Sequence, residues 1–177
     1  MVAYFRKEKA MRRSPCLYFL PLVLFAVTGS AGATELRTLS GEAVSLDSLL
    51  TNGPVVINFW ATWCGPCRLE MPRLEAIYEE LHKKGVEFAA VSLDNPRLKD
   101  RVRSYVEKNK ITFPVYLDSK GELARKFKVV AIPTTVVLAK NGEVVYQTRG
   151  YRPGAEIILK KKIEGYLKSI EIKDAQP

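Results

Sequence analysis

Three cysteines and a single histidine, His82, are all the thiol and imidazole ligands that 177 residues offer. That set excludes a zinc ribbon, which needs four cysteines, a C2H2 finger, which needs two histidines, and a disulfide-dense scaffold, which needs several cysteine pairs. Long hydrophobic runs are also missing. The apolar run Leu17 to Val27 holds 11 residues, interrupted only by Pro21, whereas a helix needs about 20 to span a bilayer. The sequence has no internal repeats or low-complexity tracts. With 47% hydrophobic and 27% charged residues, it fits neither a disordered chain nor a collagen-like one. The length suits one globular domain with an ordinary core and is short for two.

Positive charge is plentiful, at a formal +9. Its location decides what it means. Residues 1–33 carry Arg6, Lys7, Lys9, Arg12 and Arg13 against Glu8, which leaves 23 basic and 18 acidic residues beyond them, a net +5. The basic segment up to Arg13, the apolar run and the small residues ending Ala31-Gly32-Ala33 form the three regions of an export signal with an A-x-A cleavage site. Met11 opens an equally complete signal. Cys16 precedes the apolar run, so no lipobox follows it. The expectation is a signal at 1–33, cleaved after Ala33 rather than kept as a membrane anchor, and a single domain at 34–177. Cys16 then leaves with the signal. Cys64 and Cys67 remain as the only thiols, in a periplasmic or otherwise exported compartment where disulfides persist.

In the mature chain, Leu36, Leu39, Val44 and Leu46 alternate around Ser40-Gly41 and predict a small N-terminal hairpin. Val55 to Trp60 is an unbroken β-branched and aromatic run after Gly53-Pro54, the pattern of a strand covered on both faces. A helix is expected from about Pro66 to Lys84, with Leu69, Leu74, Ile77, Tyr78 and Leu81 inward, Pro72 as a kink and Gly85 as the stop. The strand Val86 to Leu93 follows, then a helix from Pro96 to Lys108 with Leu98, Val102, Tyr105 and Val106 inward. After a short strand Phe113 to Leu117 and a short helix Glu122 to Phe127, Thr134 to Leu138 reads as a strand. Asn141-Gly142 is a two-residue hairpin signal leading into Val144 to Thr148. A last helix from Pro153 to Ile170 presents Ile158, Tyr166, Leu167 and Ile170, and the tail from Glu171 reads as loose. This order is an α/β fold with helices on both faces of the sheet.

Cys64-Gly65-Pro66-Cys67 falls where the central strand ends and a helix begins. The partial positive charge of a helix start favours thiolate at the first cysteine. The second thiol, one turn on, is within reach of a mixed disulfide at the first, and Gly65 and Pro66 keep the turn compact. As a mere staple the pair would do little, since closing a four-residue loop is worth roughly 2 kcal/mol. Redox exchange is the stronger reading. Trp60 reads as core, and Trp63 as a shield for the thiols. A c-type haem site is excluded because Arg68, not a histidine, follows Cys67. His82 reads as a surface residue favourable to the helix dipole. The basic clusters around Arg97 to Arg103 and Lys160 to Lys162 read as solvated helix faces. Without interleaved aromatics they do not suggest nucleic-acid binding.

The segment Phe59-Trp60-Ala61-Thr62-Trp63-Cys64-Gly65-Pro66-Cys67, with Pro72 downstream and Ala131-Ile132-Pro133-Thr134-Thr135 later, resembles the thioredoxin superfamily. Within it, Asn58 to Trp63, Cys67-Arg68-Leu69-Glu70-Met71-Pro72, Phe113-Pro114-Val115 and Asn141-Gly142 are most similar to the exported TlpA/ResA/CcmG-like thiol-disulfide oxidoreductases. The likeness covers about residues 36–167. It implies a thioredoxin-like fold, a central mixed sheet with an added strand-helix insertion between Cys67 and Pro133.

The resemblance implies Cys64 as attacking thiol, Cys67 as resolving thiol and Pro133 as a cis proline facing them. Trp63, Gly65, Pro66, Ile132, Pro133 and Thr134 would line the client site. A proline there removes an N–H and bends the chain so that neighbouring backbone can pair with a client segment. An ordinary strand-entry proline is the plainer alternative. Asn58 stands where cytosolic thioredoxins carry a buried aspartate, so proton transfer from Cys67 would fall to Glu70, one turn on. The alternative for Glu70 is a solvated glutamate paired with Arg73 or Arg68.

No cofactor and no metal is expected. Gly-Pro between the cysteines is the thioredoxin-like pair and favours a reductant. Thioredoxin and DsbA potentials differ by about 150 mV, roughly 7 kcal/mol for two electrons, so direction matters. A reductant outside the cytoplasm must be recharged, and the resemblance implies a membrane thiol donor of the DsbD/CcdA type. As clients it implies the cysteines of apocytochrome c or of another exported protein. The rivals are a disulfide oxidant or isomerase, a copper-handling assembly protein holding Cu(I) on two thiolates, and a purely structural thioredoxin-like module.

Overall fold

The computed structural model describes residues 35–174, so the expected export signal at 1–33 lies outside the described residues. Val55–Trp60 (β3) is buried at all six positions, as its unbroken apolar pattern requires. It pairs in parallel with Glu87–Ser92 (β4) and antiparallel with Thr134–Leu138 (β6). Val115–Leu117 (β5) continues parallel to β4, and Val144–Arg149 (β7) folds back on β6. The N-terminal hairpin, Glu35–Thr38 (β1) and Ala43–Ser45 (β2), joins through β1 against β5. The result is a mixed seven-stranded sheet in the order β2-β1-β5-β4-β3-β6-β7.

Among the described residues five α-helices cover it: Leu46–Leu49 (α1), Gly65–His82 (α2), Lys99–Lys108 (α3), Glu122–Lys126 (α4) and Ala155–Asp174 (α5). Strand side chains alternate between faces, and the two cores follow that alternation. Val56, Trp60 and Val137 pack with Met71, Leu74, Leu81, Val102, Leu159 and Ile163, under α2, α3 and α5. Val55, Ile57, Phe59, Val136 and Leu138 pack with Leu46, Leu50, Leu123 and Phe127, under α1 and α4. The same period of two turns Asn58 and its cross-strand partner Thr135 toward α2. Two polar side chains are thereby committed to an apolar layer. Each large apolar side chain fully buried around them contributes about 1.5–3 kcal/mol, which offsets the cost of enclosing them.

Several expectations are corrected. Leu69 and Ile158 are exposed rather than inward, and Met71, Leu159 and Ile163 take the buried positions. On α2 the buried stripe runs through Cys67, Glu70, Met71, Leu74, Ile77 and Leu81, so Leu69 falls off its edge by one residue. Pro96–Leu98 is a separate 3₁₀ turn ahead of α3, which leaves Leu98 exposed. Asn141-Gly142 is not a two-residue turn. Gly142 N–H donates to Ala139 O and Ala139 N–H to Glu143 O, both at 2.8 Å, so the turn spans Ala139 to Gly142. Gly142 sits at φ +83°, and the ladder shifts register beside Leu138, the geometry of a glycine bulge closing a longer turn. The tail from Glu171 is not loose either, since α5 continues to Asp174. No helix among the described residues is long and apolar enough to cross a membrane.

Candidate active site

Cys64 and Cys67 form a disulfide with Cα atoms 5.3 Å apart. Cys64 is the N-cap of α2, and the Cys67 amide donates to its Sγ at 3.2 Å. The arrangement is the capping that a serine or aspartate usually gives, performed by sulfur. On reduction the same amide and the helix start stabilise negative charge on Cys64. The two sulfurs are not equivalent: Cys64 retains 6% exposure, and Cys67 none.

Pro133 follows a cis peptide bond from Ile132. The loop comes close to the disulfide, with Ile132 O 3.8 Å from Cys64 Sγ. Gly150 N–H donates to Pro133 O at 2.7 Å and holds the loop from β7. Thr134 is fully buried, and its hydroxyl donates to Ala131 O at 2.6 Å, so its side chain braces the loop. Gly65 and Pro66 are exposed beside Cys64. Trp63 is 63% exposed on the rim, its ring open to solvent. Trp60 is fully buried and packs on Tyr105, with ring centroids 5.1 Å apart.

Glu70 is the next candidate residue. It is buried, 4% exposed, one helical turn beyond Cys67. Neither Arg68 nor Arg73 pairs with it. Its Oε2 accepts from Asn58 Nδ2 at 2.8 Å, and its Oε1 lies 3.4 Å from the Thr135 hydroxyl. Asn58 Nδ2 also donates to Thr135 Oγ1 at 2.9 Å. Burial pushes the Glu70 pKa from its ordinary 4.5 up to about 7, and the bonds from Asn58 and Thr135 only partly oppose this. Among the described residues Asn58 Oδ1 has no partner. By turning its amide, Asn58 can accept from a neutral Glu70 as readily as it donates to a charged one. The group is poised to take up and release a proton near neutrality.

These features coincide with a match to known proteins. Residues 27–147 match the AhpC/TSA family. The chain belongs to the AhpC/TSA family. This AhpC/TSA protein is 36% identical over 151 residues to thiol-disulfide oxidoreductase ResA of Oceanobacillus iheyensis, covering 83% of this chain and 74% of that one. It is 33% identical over 145 residues to sporulation thiol-disulfide oxidoreductase A of Bacillus subtilis, covering 75% and 87%. Among solved structures it is similar to thiol:disulfide interchange protein DsbE of Chlorobium tepidum, with 31% identity and a TM-score of 0.69 over 77% of this chain and 94% of that one. StoA of Bacillus subtilis matches with 29% identity and a TM-score of 0.60, over 72% and 93%. The enzyme is a thiol-disulfide oxidoreductase of the ResA, StoA and DsbE type.

Three side chains that support this AhpC/TSA site escape a reading of the sequence. Asp94, 3% exposed at the end of β4, accepts from Thr62 N (2.8 Å), Thr62 Oγ1 (2.7 Å) and Ser92 Oγ (2.9 Å). It fixes the loop two residues before Cys64. The spacing of Tyr105 turns it inward, but its hydroxyl has a task the spacing does not reveal. Pro72 has no N–H for the carbonyl four residues back, and Tyr105 donates to that carbonyl, Arg68 O, at 3.0 Å. Thr135 sits inside the proline-loop motif, yet only the pairing of β3 with β6 brings it to Glu70. Among the described residues no group of three or more His, Cys, Asp and Glu side chains is placed to hold a metal ion.

Proposed function

We propose that this oxidoreductase works as an exported reductant of disulfides in other exported proteins, and that Glu70 carries the proton that frees its second thiol. The observation that carries this reading is the buried Glu70, held by uncharged Asn58 and brought to a pKa of about 7 directly after the redox helix turn. In the dithiol form, the Cys64 thiolate attacks one sulfur of a client disulfide. The client's other sulfur leaves as thiolate, and a Cys64–client disulfide remains. Cys67 then gives its proton to the Glu70 carboxylate and attacks Cys64 Sγ. The client's second thiolate leaves, the Cys64–Cys67 disulfide forms, and two electrons have passed to the client. What supports Cys64 as the attacker is its amide-capped sulfur and its residual exposure, against a fully buried Cys67.

The client segment lies along Ile132 and Pro133, over Gly65 and Pro66, with Trp63 on the rim. Residues 1–33 direct export and are removed, so the mature protein begins at Thr34. A membrane thiol donor of the DsbD/CcdA type restores the dithiol, and apocytochrome c or another exported protein is the client. The test is a Cys67→Ser variant expressed with its export signal. It should accumulate client adducts joined through Cys64 in the cell envelope, and N-terminal sequencing of the recovered protein should begin at Thr34. If no adducts form that dithiothreitol releases, the exchange role is refuted.

A further inference from the structure

A cavity of about 260 Å³ opens beside the redox motif, between the start of α2 and the end of α3, lined by Gly65, Arg68, Leu69, Tyr105, Lys108 and Asn109. Gly65 belongs to the motif itself, so the cavity begins one residue from the attacking sulfur. Its lining holds two cations and no acid. Among the described residues neither Arg68 nor Lys108 enters an ion pair, whereas Arg103 on the same helix as Lys108 is paired with Asp100. Tyr105 spends its hydroxyl on Arg68 O, and Asn109 donates its amide N–H to Tyr105 O, which fixes the floor. Leu69, 66% exposed, forms an apolar wall. The proline loop also reaches Cys64, with Ile132 O 3.8 Å from its Sγ.

We propose that this cavity is a subsite for a client carboxylate, an aspartate or glutamate side chain within about three residues of the client cysteine, since an extended chain advances about 3.3 Å per residue. A client strand that runs along Ile132 and crosses Cys64 carries its next side chains over Gly65 to Arg68 and Lys108. The volume accommodates one acidic side chain with its water. The guanidinium of Arg68 can take a carboxylate in two parallel hydrogen bonds, Lys108 adds a point charge, and Leu69 packs on the methylenes. The inference rests on the exchange reading above and names its preferred substrates: polypeptide cysteines flanked by acidic residues.

The test uses three disulfide substrates with the reduced protein: a cyclic disulfide peptide with aspartates beside its cysteines, the same peptide with lysines there, and uncharged bis(hydroxyethyl) disulfide. Oxidation is followed by tryptophan fluorescence. The acidic peptide should react about tenfold or more faster than the basic one at low salt, and about 0.5 M salt should shrink the ratio. Combining Lys108→Glu with Arg68→Gln should abolish or invert the ratio, and bis(hydroxyethyl) disulfide should still be reduced. Equal rates on the two peptides, or a ratio that survives the double substitution, overturn the subsite while leaving the exchange reading intact. Failure to reduce even the uncharged disulfide overturns the exchange reading, and the subsite with it.

Discussion

Replacing Glu70 by Gln separates what its charge does from what its shape does. The carboxyl rises from 4.5 to about 7 on folding, mainly because burial strips water from the charged form. Such a rise corresponds to about 3 kcal/mol of unfavourable ionisation in the folded state. Below pH 4.5 the group is protonated in both the folded and unfolded chain and has no effect. Between 4.5 and about 7 the folded protein keeps a proton that the unfolded chain has lost, so stability declines as pH rises, by at most about 1.4 kcal/mol per pH unit. Above about 7 the penalty is complete. Glutamine imitates the neutral acid and can still accept from Asn58, so the variant should show no such decline. Urea unfolding of the oxidised protein at pH 5 and pH 8 should give a wild type weaker at pH 8 by about 2–3 kcal/mol and a variant nearly level. The same variant should slow release of the Cys64–client disulfide by about a hundredfold at pH 8 and lose the inflection near pH 7 in its rate profile. Parallel unfolding curves for wild type and variant, together with unchanged pH-rate profiles, would refute both the burial argument and the proton-transfer role.

Tyr105→Phe keeps the ring on Trp60 but takes the donor from Arg68 O. It should cost about 1 kcal/mol in urea unfolding, with an unchanged m-value. Asp94→Ala strands the Thr62 amide and hydroxyl together with the Ser92 hydroxyl, and calorimetry should show a loss of about 3 kcal/mol or more. Because Thr62 anchors the segment leading to Cys64, Asp94→Ala should also slow reduction of a small disulfide, while Asp118→Ala, which uncaps α4 on the opposite face, should lower stability alone.

The strand β3, the redox motif and the proline loop are legible in the sequence because each is a local pattern. An unbroken apolar run, a C-x-x-C at a helix start and an Ile-Pro before a second apolar run do not depend on distant residues. Where a buried stripe is not purely apolar, the pattern misleads. On α2 the inward face passes through Glu70, so a hydrophobicity count prefers Leu69 and shifts the phase by one residue. On α5 the buried phase is set by Leu159 and Ile163, and Ile158 lies off it, where only packing against α2 could decide. The Glu70 environment was out of reach for a different reason. Asn58 and Thr135 are 77 residues apart and become neighbours only through the register of β3 on β6. Asp94 gave no signal, since a lone aspartate between a strand and Asn95-Pro96 reads as an ordinary turn residue.

The reduction potential of the Cys64–Cys67 couple tests the reductant reading most directly. It can be read by equilibrating the protein with glutathione or dithiothreitol and following the fluorescence of Trp60 and Trp63. A value near that of thioredoxin, about −270 mV, is the predicted result. A value near that of DsbA, about −120 mV, would contradict it, because a couple that oxidising gives disulfides away.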